Sequence, residues 1–365
     1  MYTTTRRRTM QALGIGGVGS VAGCVSAPTH HERDRAMNPV GSAAAMEDGR
    51  VAADPTDLPP PVTWTEPKHH EVTLRVKEVT AEIEPGVTFD YMTFEGRVPG
   101  PMIRVRQGDT VHFTLENLPD NGMQHNVDMH AIYGTGGGNV ATTAKPGESN
   151  DETFTAMYPG GFIYHCAVPN LDYHVSSGMF GMIVVEPKDG LPTVDREFYL
   201  GQHEIYTDKP AGEQGKHNFS IDAMKREDPS YVVFNGEKYP FTPDRYGPMQ
   251  AKKGERVRVF MVTGGPNLTS SFHPIGNVWT VAYPQGALAS APMRYVQTQS
   301  VPPGSCFVGE MDLPVPERIK LVDHALSRVV HKGLLAETDV QGAKETGLFD
   351  PSPGTDQDEG PIYGA

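Results

Sequence analysis

A motif that occurs twice is the strongest constraint on the fold of this 365-residue chain. Phe94-Glu95-Gly96 precedes the turn Gly108-Asp109-Thr110-Val111, and Phe234-Asn235-Gly236 precedes a similar turn, Gly254-Glu255-Arg256-Val257, which lies 146 residues after the first. Each turn opens a segment in which apolar and polar residues alternate, as in a strand with one buried face and one wet face. Two copies of one β-sandwich are therefore predicted.

Turn-forming residues interrupt the chain throughout. The 40 glycines and 32 prolines separate short runs of valine, isoleucine, phenylalanine, tyrosine and threonine. This pattern is typical of strands joined by turns, so an all-β class is predicted. Strand character stops near Pro187-Lys188-Asp189-Gly190. We therefore expect a first domain over residues 63–188 and a second over residues 189–340.

The first 24 residues resemble an export signal rather than part of a fold. Arg6-Arg7-Arg8 precede a weakly apolar, glycine-rich stretch, which is similar to a twin-arginine signal. Small residues before Cys24 also resemble a lipoprotein cleavage box, so Cys24 is either a lipid-bearing N-terminus or an unmodified residue of a removed peptide. An exported protein is predicted, in the periplasm or at the outer face of the cytoplasmic membrane, with a lipid anchor if Cys24 is modified.

Residues 25–62 and 341–365 are polar or small in character and have almost no apolar periodicity. Segments of this kind cannot bury enough surface to offset the entropy of ordering. A disordered tether and an acidic, solvated tail are therefore predicted. The net charge of −14 argues against nucleic acid as a partner.

Histidines cluster around a cysteine in the first predicted domain. Four of the 14 histidines fall with Cys166 in the 50-residue segment 125–174, and such clustering indicates a metal. The spacing of Cys166, His174 and Met179 puts three ligands on one loop, and His125 can supply a fourth from another strand. Two imidazoles, one thiolate and a weak thioether match a trigonal copper site for electron transfer.

Two further histidines, His130 and His165, lie beside residues of this first group. Neighbouring side chains in a strand point to opposite faces, so His165 points away from the metal that Cys166 faces. A second metal must then lie outside the first domain, and two histidines leave it short of ligands. His324 is the candidate third ligand, because it lies in a late strand of the second domain that roughly echoes the strand of His165.

The other histidines and the remaining cysteine of the predicted domains are not predicted to bind a metal. His112 lies on the polar face of its strand, and His203, His217 and His331 have no partner at metal spacing. These four are interpreted as surface residues, as are the histidines in or beside the predicted tether, His30, His31, His69 and His70. Cys306 has no histidine or methionine nearby in sequence, so it is interpreted as a small buried hydrophobe.

The residues together resemble the copper-containing nitrite reductases, a family of two-domain cupredoxin trimers. The resemblance runs from about residue 70 to 340 and rests on six motifs. They are His125-x-x-Asp128-x-His130, Gly136-Gly137-Gly138, Tyr164-His165-Cys166, His174-x4-Met179, Ser271-Phe272-His273-Pro274-Ile275-Gly276 and Val322-Asp323-His324. The resemblance implies two tandem cupredoxin-like Greek-key β-sandwich domains in a homotrimer.

The same resemblance implies two coppers per subunit, with a ligand set for each. The type 1 copper would be bound by His125, Cys166, His174 and Met179. The type 2 copper would be bound by His130, His165 and His324, the last coming from the adjacent subunit. Asp128 would hydrogen-bond nitrite and deliver a proton, His273 would serve the second proton through water, and Ile275 would crowd the metal so that nitrite binds by its oxygens.

The implied activity is the reduction of nitrite to nitric oxide, a step of denitrification. A small donor protein, either a cupredoxin or a c-type cytochrome, would reduce the type 1 copper, and nitrite would be reduced at the type 2 copper. Two features depart from better-known members: the loop from Cys166 to His174 is one residue shorter than in many relatives, and Tyr173 replaces a frequent tryptophan. A shorter-loop branch of the family shares them, so they bear on the docking surface for the donor rather than on the ligands.

Two other functions would share part of this pattern. A multicopper oxidase would carry His-x-His pairs and a His-Cys-His triplet, whereas Ala167 follows Cys166 here. A pure electron carrier or copper-storage protein would account for the first ligand set. It would leave His130, His165, His324, Asp128 and His273 without a role.

Overall fold

The computed structural model describes residues 39–41 and 49–350. The predicted export signal, Cys24, most of the predicted tether and residues 351–365 of the predicted tail lie outside the described residues. None of the helices in the described part of the chain is long and apolar enough to cross a membrane.

Short strands are the main regular structure of the described chain and far outweigh its few short helices, which confirms the prediction of a mainly β protein. The first half contains β1 (His69–Glu84), β2 (Val87–Phe94), β3 (Ile103–Arg106), β4 (Thr110–Asn117), β5 (Asp128–Met129), β6 (Ser149–Thr155), β7 (Gly160–His165) and β8 (Phe180–Glu186). The second half contains β9 (Arg196–Ile205), β10 (Gly215–His217), β11 (Tyr231–Phe234), β12 (Met249–Lys252), β13 (Arg256–Gly265), β14 (Ser270–Ile275), β15 (Val281–Tyr283), β16 (Gln299–Val301), β17 (Ser305–Asp312), β18 (Glu317–Asp323) and β19 (Leu335–Gln341). The helices are α1 (Asn139–Thr142), α2 (Leu171–Ser176), α3 (Ile221–Lys225) and α4 (Leu326–Lys332).

The strands form four sheets, two built mainly from each half. Their orders are β10-β2-β1-β4-β6 and β3-β8-β7-β5 for the first half, and β11-β9-β13-β17-β15 and β12-β19-β18-β14-β16 for the second. In the first half β1 pairs antiparallel with β2 and parallel with β4. In the second half β9 pairs in the same two ways with β11 and β13, so the two halves repeat one arrangement.

The repeated sequence motif lies at equivalent places in the two halves. Glu95 follows β2 with φ 62°, and Asn235 follows β11 with φ 48°. Each is followed by a glycine with a positive φ angle, where a side chain would be strained. The two Gly-acid turns lie immediately before β4 and β13. The chain between β8 and β9, residues 187–195, contains no strand and joins the halves.

Three apolar cores hold this arrangement together. One contains Phe113 and Tyr164 of the first half, and another contains Phe272 and Trp279 of the second. The third draws side chains from both halves, including Met182, Phe260 and Cys306. Cys306 is therefore the buried hydrophobe that its sequence context predicts. Strand β10 of the second half also pairs with β2, so the halves form one continuous body.

Buried ion pairs cross the boundary between the halves. Arg104 contacts Glu186 at 2.5 Å within the first half and Glu197 at 2.6 Å in the second. Arg258 donates to the same Glu197 at 2.8 Å and to Glu310 at 2.6 Å. Each buried charge therefore has a partner of opposite sign, which fixes how the halves meet.

The prediction of a disordered tether is wrong for residues 49–62. Val51 and Ala52 are fully buried, and both backbone N–H groups donate to Glu237 Oε1 at 2.9 Å. The carbonyl of Ala53 accepts from Asn235 Nδ2, also at 2.9 Å. A short segment of small apolar residues needs no periodicity to bind in this way, because its backbone groups supply the contacts.

We predict that Glu237→Ala lowers the free energy of unfolding by about 3 kcal/mol, because it leaves buried N–H donors and the partner Arg245 without their carboxylate. Chemical denaturation measures this change. Glu213→Ala is the control, since that side chain is half exposed and its loss should change the unfolding free energy by less than about 0.5 kcal/mol. An equal, small effect of both substitutions would contradict the assigned role of Glu237.

Candidate metal centres

Three donor atoms converge at the end of β7. Cys166 Sγ lies 3.8 Å from His125 Nδ1 and 3.6 Å from His174 Nδ1, and the two nitrogens are 3.2 Å apart. A point equidistant from the three atoms lies about 2 Å from each, which is the length of bonds from a metal to nitrogen and sulfur. The cluster therefore fits one metal ion without rearrangement.

Local backbone contacts position these ligands. The main chain of His125 exchanges two hydrogen bonds with Ala144, and α2 carries His174. Met179 is fully buried, donates its N–H to the His174 carbonyl at 3.1 Å and accepts from the Cys166 N–H at 3.2 Å. The structure thus gathers the four residues of the first predicted ligand set at one buried place.

Burial keeps the donor groups of this first centre neutral in the absence of a metal ion. Burial raises the pKa of the Cys166 thiol to about 11. Burial, together with the neighbouring His125 ring, lowers the pKa of His174 to about 4. Burial also lowers the pKa of His125, although Glu78 opposes that shift. Neutral imidazoles offer lone pairs, and the buried thiol gives up its proton when a metal ion stabilises the thiolate.

A second group of donors lies on the other side of the same strand. β5 pairs antiparallel with β7, with Asp128 opposite His165. The Nε2 atoms of His130 and His165 are 3.3 Å apart, and ligand atoms of these two histidines and Asp128 all lie within 4.8 Å of one another. Burial and the nearby His165 lower the pKa of His130. This second centre has two nitrogen donors beside a carboxylate and is more exposed than the first.

The residues predicted from the second half lie together, in a different place. His324 is exposed, follows β18 and donates its N–H to the Ser271 carbonyl at 2.7 Å. Its ring centroid is 5.4 Å from that of His273, whose Nδ1–H donates to the Gln297 carbonyl at 2.6 Å. Ile275 packs against the small apolar cluster of β18 and α4. Among the described residues His324 does not join the group of His130 and His165.

Two glutamates near these centres were missed by the sequence analysis. Glu78 Oε1 lies 3.0 Å from His125 Nε2. Glu152 lies near the second centre, and burial, followed by the nearby Asp128, raises its pKa to about 7. Neither residue is part of a ligand motif in the sequence, because each lies in a different strand from the ligand that it approaches.

The triglycine motif explains how the chain accommodates Glu152. At Gly137, which has φ +56°, a Cβ would lie 2.0 Å from Asp128 Oδ1. At Gly138, with φ +94°, a Cβ would lie 2.0 Å from Glu152 Oε1. Only glycine lets the backbone pass this closely to two carboxyl groups. The run of three glycines was the sequence signal that could have indicated a crowded acidic site.

The interpretation of the remaining histidines is wrong in three cases. His203 and His217 are fully buried rather than on the surface, in strands β9 and β10 that the packing between the halves covers. His70 of β1 is also buried, and its Nε2 lies 2.7 Å from Asp109 Oδ2. His331 is exposed, as predicted.

Comparison with known proteins gives a consistent result. A multicopper oxidase family model matches residues 75–190. The copper-containing nitrite reductase of Neisseria meningitidis serogroup B is 42% identical over 294 residues, which cover 80% of this chain and 74% of that protein. The copper-containing nitrite reductase of Cereibacter sphaeroides is 34% identical and is matched over 84% of its length by 81% of this chain.

Solved structures agree with these relatives. The copper nitrite reductase of Nitrosomonas europaea has a TM-score of 0.68 and 35% identity, with 76% of this chain and 95% of that chain covered. A multicopper oxidase at 24% identity and TM-score 0.64, covering 81% of this chain and 94% of that one, shares the fold alone.

A β fold with cupredoxin-like neighbours, a buried His-Cys-His cluster and an adjacent histidine pair define a copper-dependent oxidoreductase. The chain is similar to copper-containing nitrite reductases over most of its length, and this similarity identifies its family. It belongs to the copper-containing nitrite reductases and is a nitrite-reducing enzyme.

A raised pKa at Glu152 makes stability depend on pH. In the folded state the neutral carboxyl is favoured, so between about pH 4.5 and pH 7 the folded protein binds more protons than the unfolded chain, and stability falls as pH rises. Glu152→Gln mimics the neutral form. In metal-free protein we predict that this variant gains stability relative to the unsubstituted chain between about pH 5 and pH 8, measured by denaturant midpoints. A difference in stability that does not change with pH would contradict the assignment.

Proposed function

We propose that the protein reduces nitrite to nitric oxide, with electron entry at the first centre and nitrite reduction at the second. The observation that carries this proposal is the placement of the two donor groups on opposite sides of consecutive residues, Cys166 and His165. The first group is buried and contains sulfur, which suits a type 1 copper bound by His125, Cys166, His174 and Met179. The second is more open, which suits a type 2 copper that also binds substrate.

Bound copper would supply a one-electron couple at each centre and an open coordination position for nitrite at the second. The peptide bond between His165 and Cys166 is the shortest covalent connection between the two groups. His165 Nδ1 also lies 3.0 Å from the Cys166 carbonyl oxygen, which adds a second contact along the same route. We assign the passage of the electron to this pair of residues.

Conversion of nitrite to nitric oxide and water consumes one electron and two protons. Asp128 lies beside the nitrogens of His130 and His165, where its carboxyl can hydrogen-bond an anion and give up the first proton. We assign the second proton to His273, acting through water. Ile275 lies two residues after His273 on the same strand and would restrict how nitrite fits.

An assembly is required to bring these residues to the second centre. The ring of His324 lies against His273 rather than against His130 and His165 of the same chain. We therefore propose a homotrimer of two-domain subunits, each domain a cupredoxin-like Greek-key sandwich. In it, His324 of the partner subunit is the third ligand. His273 and Ile275 would then arrive at the centre together with it.

Further proposals follow from the sequence. The chain would be exported by its twin-arginine-like signal to the periplasm or the outer face of the cytoplasmic membrane. Cys24 is the residue that would carry a lipid anchor. A small cupredoxin or c-type cytochrome would donate the electron at the surface above the first centre.

Nitric oxide formation with a copper count tests the proposed function. Copper-loaded protein given nitrite and an artificial electron donor should make nitric oxide and hold two coppers per chain. Asp128→Asn should keep both coppers and lower turnover about 100-fold, because it removes the proton donor. A coloured protein with one copper and no nitric oxide production would favour the electron-carrier alternative.

We predict that His324→Ala empties the second centre alone, leaving about one copper per chain, the type 1 colour and no nitrite reduction. His331→Ala, an exposed histidine of the same half, is the matched control and should keep both coppers. Loss of the type 1 colour in His324→Ala would show that the ligands are wrongly divided.

Mixing variants tests whether the second centre is shared. His324→Ala and His165→Ala chains, dissociated and reassembled together, should regain part of the activity, since some interfaces then combine an intact His130–His165 pair with an intact His324. No recovery would indicate a centre built within one chain.

A further inference from the structure

Glu78 links β1 to the loop that carries His125. Its Oε1 lies 3.0 Å from His125 Nε2 and accepts from the Met123 N–H, also at 3.0 Å. Its Oε2 accepts from the Gly122 N–H at 3.0 Å. One carboxylate therefore contacts both the ligand and the backbone that holds the ligand.

These contacts determine which nitrogen of His125 carries the proton. His125 Nδ1 faces the cluster, 3.2 Å from His174 Nδ1, so the metal-binding lone pair must be on Nδ1. The proton of the neutral ring then lies on Nε2, where Glu78 accepts it in a hydrogen bond. His174 differs, because its Nε2 is buried and has no hydrogen-bond partner in the described structure. Glu78 thus distinguishes the two imidazoles of the first centre.

The carboxylate also places a negative charge one imidazole ring away from the donor triangle. The Glu78 side chain is only 26% exposed, and His125 is fully buried, so water screens this charge weakly. A nearby negative charge favours the more positive oxidation state of a metal. Its effect on a bound copper would be to stabilise the oxidised form relative to the reduced form.

We propose that Glu78 is a positioning residue for the first centre, one that fixes the tautomer and orientation of His125 and lowers the reduction potential of the metal bound there. The proposal rests on the proposed function only in taking that metal to be copper. A lower potential at the first centre favours transfer of its electron toward the second, which is the direction that nitrite reduction needs.

Redox titration of copper-loaded Glu78→Gln tests the proposal without nitrite. Glutamine keeps an oxygen that can accept from Nε2–H but removes the charge. The equilibrium constant for reduction should rise about tenfold, which is about 59 mV for one electron. An unchanged potential would overturn the proposal.

Glu82→Gln is the matched control for this titration. Glu82 lies on the same strand and the same face of β1, about 13 Å further along, and accepts from the Gly86 N–H instead of from a ligand. The Glu82→Gln substitution removes an identical charge at this greater distance. Its shift in reduction potential should therefore be less than a third of that of Glu78→Gln. Equal shifts would mean that only the general surface charge matters, and they would also overturn the proposal.

The metal-free protein gives a second readout. Hydrogen exchange at the Gly122 and Met123 amides should speed up at least tenfold in Glu78→Ala and much less in Glu82→Gln, because only Glu78 accepts from those N–H groups. If Glu78→Ala does not fold, hydrogen exchange at the same two amides is measured in Glu78→Gln and combined with the reduction potential of that variant. A shifted potential in a protein that makes no nitric oxide would retain Glu78 and reject the proposed function. Nitric oxide formation with an unshifted reduction potential would support the proposed function and overturn the role assigned to Glu78.

Discussion

The antiparallel pairing of Asp128 with His165 is the contact on which both candidate metal centres depend. It holds the segment that carries His125 and His130 against the end of β7. Side chains alternate along a strand, so Cys166 turns into the first half while His165 turns out of it. A register slip of one residue would exchange these directions and break both groups at once. Two centres with opposite needs, one buried and one open, can therefore share adjacent residues.

The packing between the halves holds the pairing of Asp128 with His165 in a fixed position. The third apolar core and the buried contacts of Arg104 and Arg258 with Glu197 join the two repeats into one body. The N-terminal segment bound by Glu237 adds a further connection across it. His273 and His324 are consequently held at a fixed place on the second half, which suits their proposed meeting with another subunit.

Sequence reasoning found what depends on local spacing. The repeated Gly-acid turn predicted equivalent strands, and the positions of Cys166, His174 and Met179 predicted a cluster that the structure brings together. It missed what depends on tertiary contact. Glu78 and Glu152 approach the centres from other strands, and Val51 and Ala52 donate their backbone N–H groups to Glu237. His203 of the second half is buried against Phe180 of the first. None of these partners is marked by periodicity in the chain itself.

Anomalous X-ray scattering at the copper edge, from crystals of the assembled protein, tests the central claim most directly. Two peaks per chain are expected. One lies inside the triangle of His125, Cys166 and His174, and the other lies at His130 and His165 with His324 of the partner subunit as its third ligand. A single peak in the triangle, or a second peak completed without a histidine from another chain, would contradict it.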